Sequence, residues 1–223
     1  MHRVFRVAFA ATLVGAPSLA ARAAPPVPID PAQRAFACEG AIFRALAKSA
    51  LATTYGAKNV SQEKVTGAEG ESETIETTIF AKRPADKFRL SWSDAAKKKV
   101  DSVDIFGSNW IGPGGIHVGS TIAEVEKANG RPFAFSGVGW DYGGMVHDWR
   151  GGALGPLKPT THGGPGNLRH DCRLDVVLDA SLDAPPDTNF KWSGEQELQS
   201  DSPAIAPGRI AVVKITISYG EEN

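Results

Sequence analysis

Beyond its first residues the chain carries four histidines, His117, His147, His162 and His170, and two of them stand directly before an aspartate, as His147-Asp148 and His170-Asp171. A histidine acting as general base needs a carboxylate that orients its ring. Neighbours on a strand point to opposite faces, so these pairs make poor dyads if their segments are extended. A hydrolase built on His147 or His170 would have to draw its acid from elsewhere in the chain. Zinc sites favour close spacings such as His-x-x-x-His or Cys-x-x-Cys, and neither occurs; His162, His170 and Cys172 come nearest. The Gly-x-Ser-x-Gly elbow of serine hydrolases is lacking, and so is the Gly-Lys-Ser/Thr of a phosphate loop. The run from Gly137 to Gly143 misses the dinucleotide fingerprint by one place. Glu69, Glu71, Glu73 and Glu76 cluster as glycosidase acids would, but a polar turn and strand edge makes them read as a solvated charge run. No catalytic residue, metal or cofactor is therefore expected.

The aromatic residues point to different chemistry. Trp140, Tyr142 and Trp149 stand close together among Gly137, Gly139, Gly143, Gly144, Gly151 and Gly152. Glycine lets backbones pass closely, and aromatic side chains on such a frame make good binding anchors. The same composition also builds a tight corner in which tryptophans plug the core. The two readings differ in one observable, the burial of these three residues.

These residues need a compartment and a scaffold. Arg3 and Arg6 precede an apolar run from Val7 to Ala16, and Ala21-Arg22-Ala23 offers small residues at the positions a signal peptidase reads. This predicts a signal peptide over 1–23, cleavage near Ala23/Ala24, and a periplasmic or secreted protein. Taking the leader's three arginines from a formal charge of −1 leaves −4, which gives no electrostatic reason to seek nucleic acid. No later segment has the roughly 18 apolar residues of a membrane span. The two cysteines, Cys38 and Cys172, both lie past the cleavage point. In an oxidising compartment such a pair predicts one disulfide, with two buried thiols as the alternative.

Periodicity supplies the elements. Phe43, Leu46, Ala47, Ala50 and Leu51 recur at helical spacing and Gly56 stands ready to end that helix. Four strands are expected near 59–65, 73–82, 87–93 and 99–106. In the third, Phe88, Leu90 and Trp92 alternate with Lys87, Arg89 and Ser91, which predicts one apolar and one wet face. Thr121 and Glu124 form a capping box, Ile122 and Val125 give a stripe, and Asn129-Gly130 closes a second helix. Strands near 133–138 and 145–150 read as a hairpin, and the Gly/Pro-rich 151–169 as a long loop. Cys172, Leu174, Val176 and Leu178 share one strand face, and Val213, Ile215, Ile217 and Tyr219 share another. The expected fold is α+β, mostly antiparallel sheet with two short helices on one face.

Aligning Gly56 with Gly130 makes 24–110 and 111–223 two halves that read alike, helix, glycine stop, then about four strands. The alternative is a single α+β domain. Leu51-Ala-Thr-Thr-Tyr-Gly56 and Gly119-Ser-Thr-Ile-Ala-Glu-Val-Glu-Lys-Ala-Asn-Gly130 resemble the repeat unit of the β-lactamase inhibitor protein and of the small lipoprotein of the outer-membrane assembly machinery. The stretch from Gly115 to Gly144 is similar to a segment of secreted bacterial proteins of unassigned function. A tandem pair of such units implies two sheets joined into one concave face; it transfers no inhibitory residue. The expectation is a non-enzymatic binding or assembly module outside the cytoplasm that recognises a protein or envelope component through Trp140, Tyr142 and Trp149. The secreted hydrolase is the alternative.

Overall fold

The computed structural model describes residues 34–36, 48–66, 70, 73–93, 96–97, 100–155, 172–180, 191–205 and 208–219. The leader, Cys38, His162, His170, Asp171, Glu69, Glu71 and most of the 151–169 loop lie outside the described residues. In chain order the elements are helix α1 (Lys48–Tyr55), strands β1 (Val60–Thr66), β2 (Glu73–Ile79), β3 (Phe88–Trp92) and β4 (Val100–Ile105), helix α2 (Ile122–Asn129), and strands β5 (Ala134–Ser136), β6 (Val146–Asp148), β7 (Cys172–Ala180), β8 (Glu197–Gln199) and β9 (Ile210–Tyr219). The fold is α+β and mostly sheet. Among the described residues one sheet runs β1-β2-β3-β4-β9-β7 and another β6-β5-β8, and the named strands all pair antiparallel.

The large sheet explains the core. Across its register Ile79, Phe88, Ile105, Ile215 and Val176 fall in one row and Thr77, Leu90, Val103, Ile217 and Leu174 in a second. All ten are buried. Each fully buried aliphatic or aromatic side chain contributes roughly 1.5–3 kcal/mol, so these two rows hold the fold together. Thr77 is the polar member, and its hydroxyl accepts from the Trp92 indole and from Gln62 Nε2, each at 2.9 Å. Leu51 and Tyr55 of α1 and Val125 of α2 bury in the same core cluster. Burial pushes the Tyr55 hydroxyl up to about 12.

The opposite face of β3 is not wet. Arg89 pairs with Glu76 at 2.6 Å and Asp104 at 3.1 Å, and the three side chains are only 14–19% exposed. Thr216 donates to Asp104, Ser91 donates to Glu76, and the Arg89 guanidinium lies over the Phe106 ring. Glu76, expected as a solvated acid, is instead the end of a charged ladder that crosses four strands. A second correction concerns β9. Ile215, Ile217 and Tyr219 are buried as expected, but Val213 is 38% exposed and Val212 takes the inward place. The register between β7 and β9 shifts at Val177/Leu178, and such a bulge turns the side chains beyond it to the other face.

The two halves do not share a strand order. The first is a consecutive meander, β1 to β4; among the described residues the second splits into β6-β5-β8 and the β9-β7 pair, with β9 seated beside β4. Gly56 and Gly130 both have positive φ, 83° and 78°, but their ψ values of 130° and 2° make them different stops.

Helix α2 has both hydrogen bonds of its capping box, Glu124 N–H to Thr121 Oγ1 at 3.3 Å and Thr121 N–H to Glu124 Oε2 at 2.8 Å. The bond from the Thr121 backbone, joined by its side chain, holds the Glu124 carboxyl below the ordinary carboxylate range. Its contribution is therefore present above that range and lost as pH falls through the lowered value. Thr121→Ala should cost about 1 kcal/mol in chemical denaturation at neutral pH, and Thr121→Ser should restore most of it. Equal loss in both variants would mean the hydroxyl does not cap the helix.

Candidate functional site: the aromatic face of the small sheet

Strand β5 turns into β6 through residues 137–145, and hydrogen bonds fix this connection on every side. The N–H of Gly137 donates to Gln196 O, that of Val138 to Trp192 O, and that of Gly194 to Val138 O. Gly144 N–H donates to Ser136 O, while Leu178 N–H donates to Gly144 O at 2.9 Å. Met145 forms an isolated bridge with Val177, which brings the edge of the small sheet against β7. The segment is therefore a pinned frame rather than a free loop.

On this frame the three expected aromatic residues part company. Tyr142 is 43% exposed. Trp140 is half-buried; its indole N–H donates to Gly137 O at 2.7 Å and its ring meets Tyr142 edge-on at 5.8 Å between centroids. Trp149, also half-buried, packs on Phe133 at 5.4 Å and belongs to the margin of the core. Beside them Met145, which the sequence reading passed over, is 41% exposed. Trp110, which precedes Gly112-Pro-Gly-Gly115, is fully buried and donates to Asp86 O. Tyr142, in contact with the Trp140 ring, is the exposed aromatic residue of this connection.

His147 of β6 lies 3.3 Å from Glu197 of β8, so a histidine and a distant carboxylate do meet. Their side chains are 42% and 60% exposed, and such a pair contributes little in water. Asp148, its neighbour in sequence, instead accepts from Arg150 N–H. The His117 ring lies 2.9 Å from Val118 O. Among the described residues no group of three His, Cys, Asp or Glu side chains is arranged to hold a metal ion. No described helix is long and apolar enough to cross a membrane.

At the other end of the hairpin, Asn129 has a larger part than ending a helix. It is 1% exposed, and its Nδ2 donates to Arg131 O and Trp149 O while its Oδ1 accepts from Leu154 N–H. Gly152 passes so close that a Cβ there would lie 2.1 Å from Asn129 Oδ1. This hub brings Arg131 and Arg150 side by side, Arg131 Nη1 donating to Arg150 O at 2.9 Å. They border an open depression of about 550 Å3 with Gly130, Pro132, Gln199 and Asp201. Neither arginine carries a motif; the only trace in the sequence is Asn-Gly, which reads equally well as a plain helix stop.

Comparison with known proteins returns no matching family model, no matching curated protein and no matching solved structure.

Proposed function

We propose that this chain is a binding module without catalytic activity that works in the periplasm or outside the cell and recognises a protein or envelope component through the face around Tyr142. The observation that carries the reading is the exposure of Tyr142 and Met145, 43% and 41%, on a connection pinned by backbone hydrogen bonds. Tyrosine offers a large amphipathic contact area at low conformational cost, and a rigid frame spares the ordering cost of binding. The Arg3–Ala23 leader pattern supports the compartment.

The hydrolase reading has one observation in its favour, the His147–Glu197 contact. That pair stands in open solvent, and the described depression does not include His147. A general base needs a site that holds substrate and excludes water. Binding is therefore the better-supported function.

In a pull-down from envelope extract, Tyr142→Ala should lose captured partner by roughly tenfold or more, the size of a hot-spot truncation. Trp140→Ala should lose it too, by removing the ring that supports Tyr142. Circular dichroism would establish that both variants are folded. Undiminished capture by both folded variants would overturn the proposal.

A further inference from the structure

The geometry points to a second binding site, one that nothing in the Tyr142 face requires: the depression between Arg131 and Arg150 takes the terminal carboxylate of a peptide together with its adjacent amide. Both guanidinium groups are exposed, and neither has a carboxylate partner among the described residues. Arg131 spends one donor on Arg150 O, which leaves the rest of its planar fork and all of Arg150's for a ligand. Arginine forks match carboxylates in paired hydrogen bonds, and this match is what sets arginine apart from lysine.

The backbones that carry the two cations are held in place. Asn129 bonds the carbonyls of Arg131 and of Trp149, so one buried amide positions both backbones. Arg150 is one of the few described non-glycine residues at positive φ, 52°, and it is kept there by its N–H to Asp148 and its carbonyl to Arg131. Its backbone is thereby fixed from both sides, while its exposed guanidinium remains available to a ligand.

The opposite rim selects the kind of anion. Gln199 donates Nε2 to Glu197, while its Oε1 is buried with no hydrogen-bond partner among the described residues. Asp201 completes the lining. Asp201 is an acceptor on this lining, and a bare inorganic anion would leave it unmet and be repelled by it. A peptide terminus offers an oxyanion and an N–H donor a few bonds apart, which fits cations on one side and an acceptor on the other.

Topology separates this site from Tyr142. Strand β5 runs away from Arg131 towards the 137–145 connection, and β6 returns to Arg150, so the two sites lie at opposite ends of the hairpin. Each reading can fail without the other.

The test titrates the isotope-labelled protein with N-acetyl-alanyl-alanine, with its C-terminal amide and with inorganic phosphate, followed by backbone amide shifts. The free acid should give saturable shifts centred on Arg131, Arg150 and Gln199; the amide should not. Arg150→Gln, which removes a side chain with no described partner, should weaken the acid by about tenfold or more, the worth of charge-assisted hydrogen bonds. Arg173→Gln, on an exposed position of β7, should change nothing, and Tyr142→Ala should leave the titration intact. No saturable shift with the acid, equal shifts with acid and amide, phosphate bound as tightly as the acid, or full affinity in Arg150→Gln would each overturn the site.

Discussion

Gly144→Ala is expected to be the most damaging single-methyl change in the described part of the chain. An added Cβ would lie 1.7 Å from Leu178 O, 2.7 Å from Leu178 C and 3.0 Å from Leu178 N. All three are backbone atoms of β7, so no side chain can swing aside. The residue also has φ 72°, which penalises any Cβ. Relief would break the Leu178 N–H bond to Gly144 O and part the small sheet from the large one. Losses above about 4 kcal/mol belong to this class of change. Gly130→Ala is the matched control: it too has positive φ, 78°, but nothing lies within 4 Å of its added Cβ, so it should cost only about 1 kcal/mol. Urea denaturation of the two variants measures the contrast. Equal losses would mean that β7 does not seat against Gly144.

The second large effect is expected on reduction. Cys172 is 4% exposed and opposite Tyr219 in the β7–β9 register. Burial, and the neighbouring Tyr55, raise the Tyr219 hydroxyl well above its ordinary range. Tyr55 in turn packs on Phe88 at 5.3 Å, and Phe88 on Phe36 at 5.2 Å. Phe36, two residues before Cys38, therefore joins the same aromatic cluster from the far end of the chain. A bridge from Cys38 to Cys172 would close a very long loop and stabilise by about 5 kcal/mol on the chain-entropy account. Thiol titration of aerobically prepared protein should find no reactive thiol until reductant is added, and reduction should lower the unfolding midpoint sharply. Two titratable thiols in the unreduced, unfolded protein would remove the bridge.

Local patterns were legible in the sequence because their causes are local. The Thr121–Glu124 capping box, the Gly130 stop and the alternation of Phe88 and Leu90 need no knowledge of partners. What depends on pairing was hidden. Val213 follows Ile215, Ile217 and Tyr219 in period, and only the bulge at Val177/Leu178 shows that Val212 replaces it in the core. Glu76 reads as one of an acidic run until β3 brings Arg89 against it. The likeness of the halves ends where β9 pairs with β4, a contact no count of strands reveals. At the site, composition located the aromatic segment but did not rank it. Tyr142 faces water and Trp149 packs on Phe133, and both are tertiary facts.

The position of β9 also sets an order of events. It fills the gap between β4 and β7, joining residues as far apart as Asp104 and Thr216. Until residues 210–219 have left the ribosome, β4 has an unfilled edge and β7 lacks the neighbour that covers nine of its residues. Pairing over such separations is slow, because the intervening chain must first be gathered in. A nascent chain of this design cannot complete its large sheet before residues 210–219 emerge. If the chain is exported as proposed, a translocation pore that admits only unfolded polypeptide would meet it before the sheet could close.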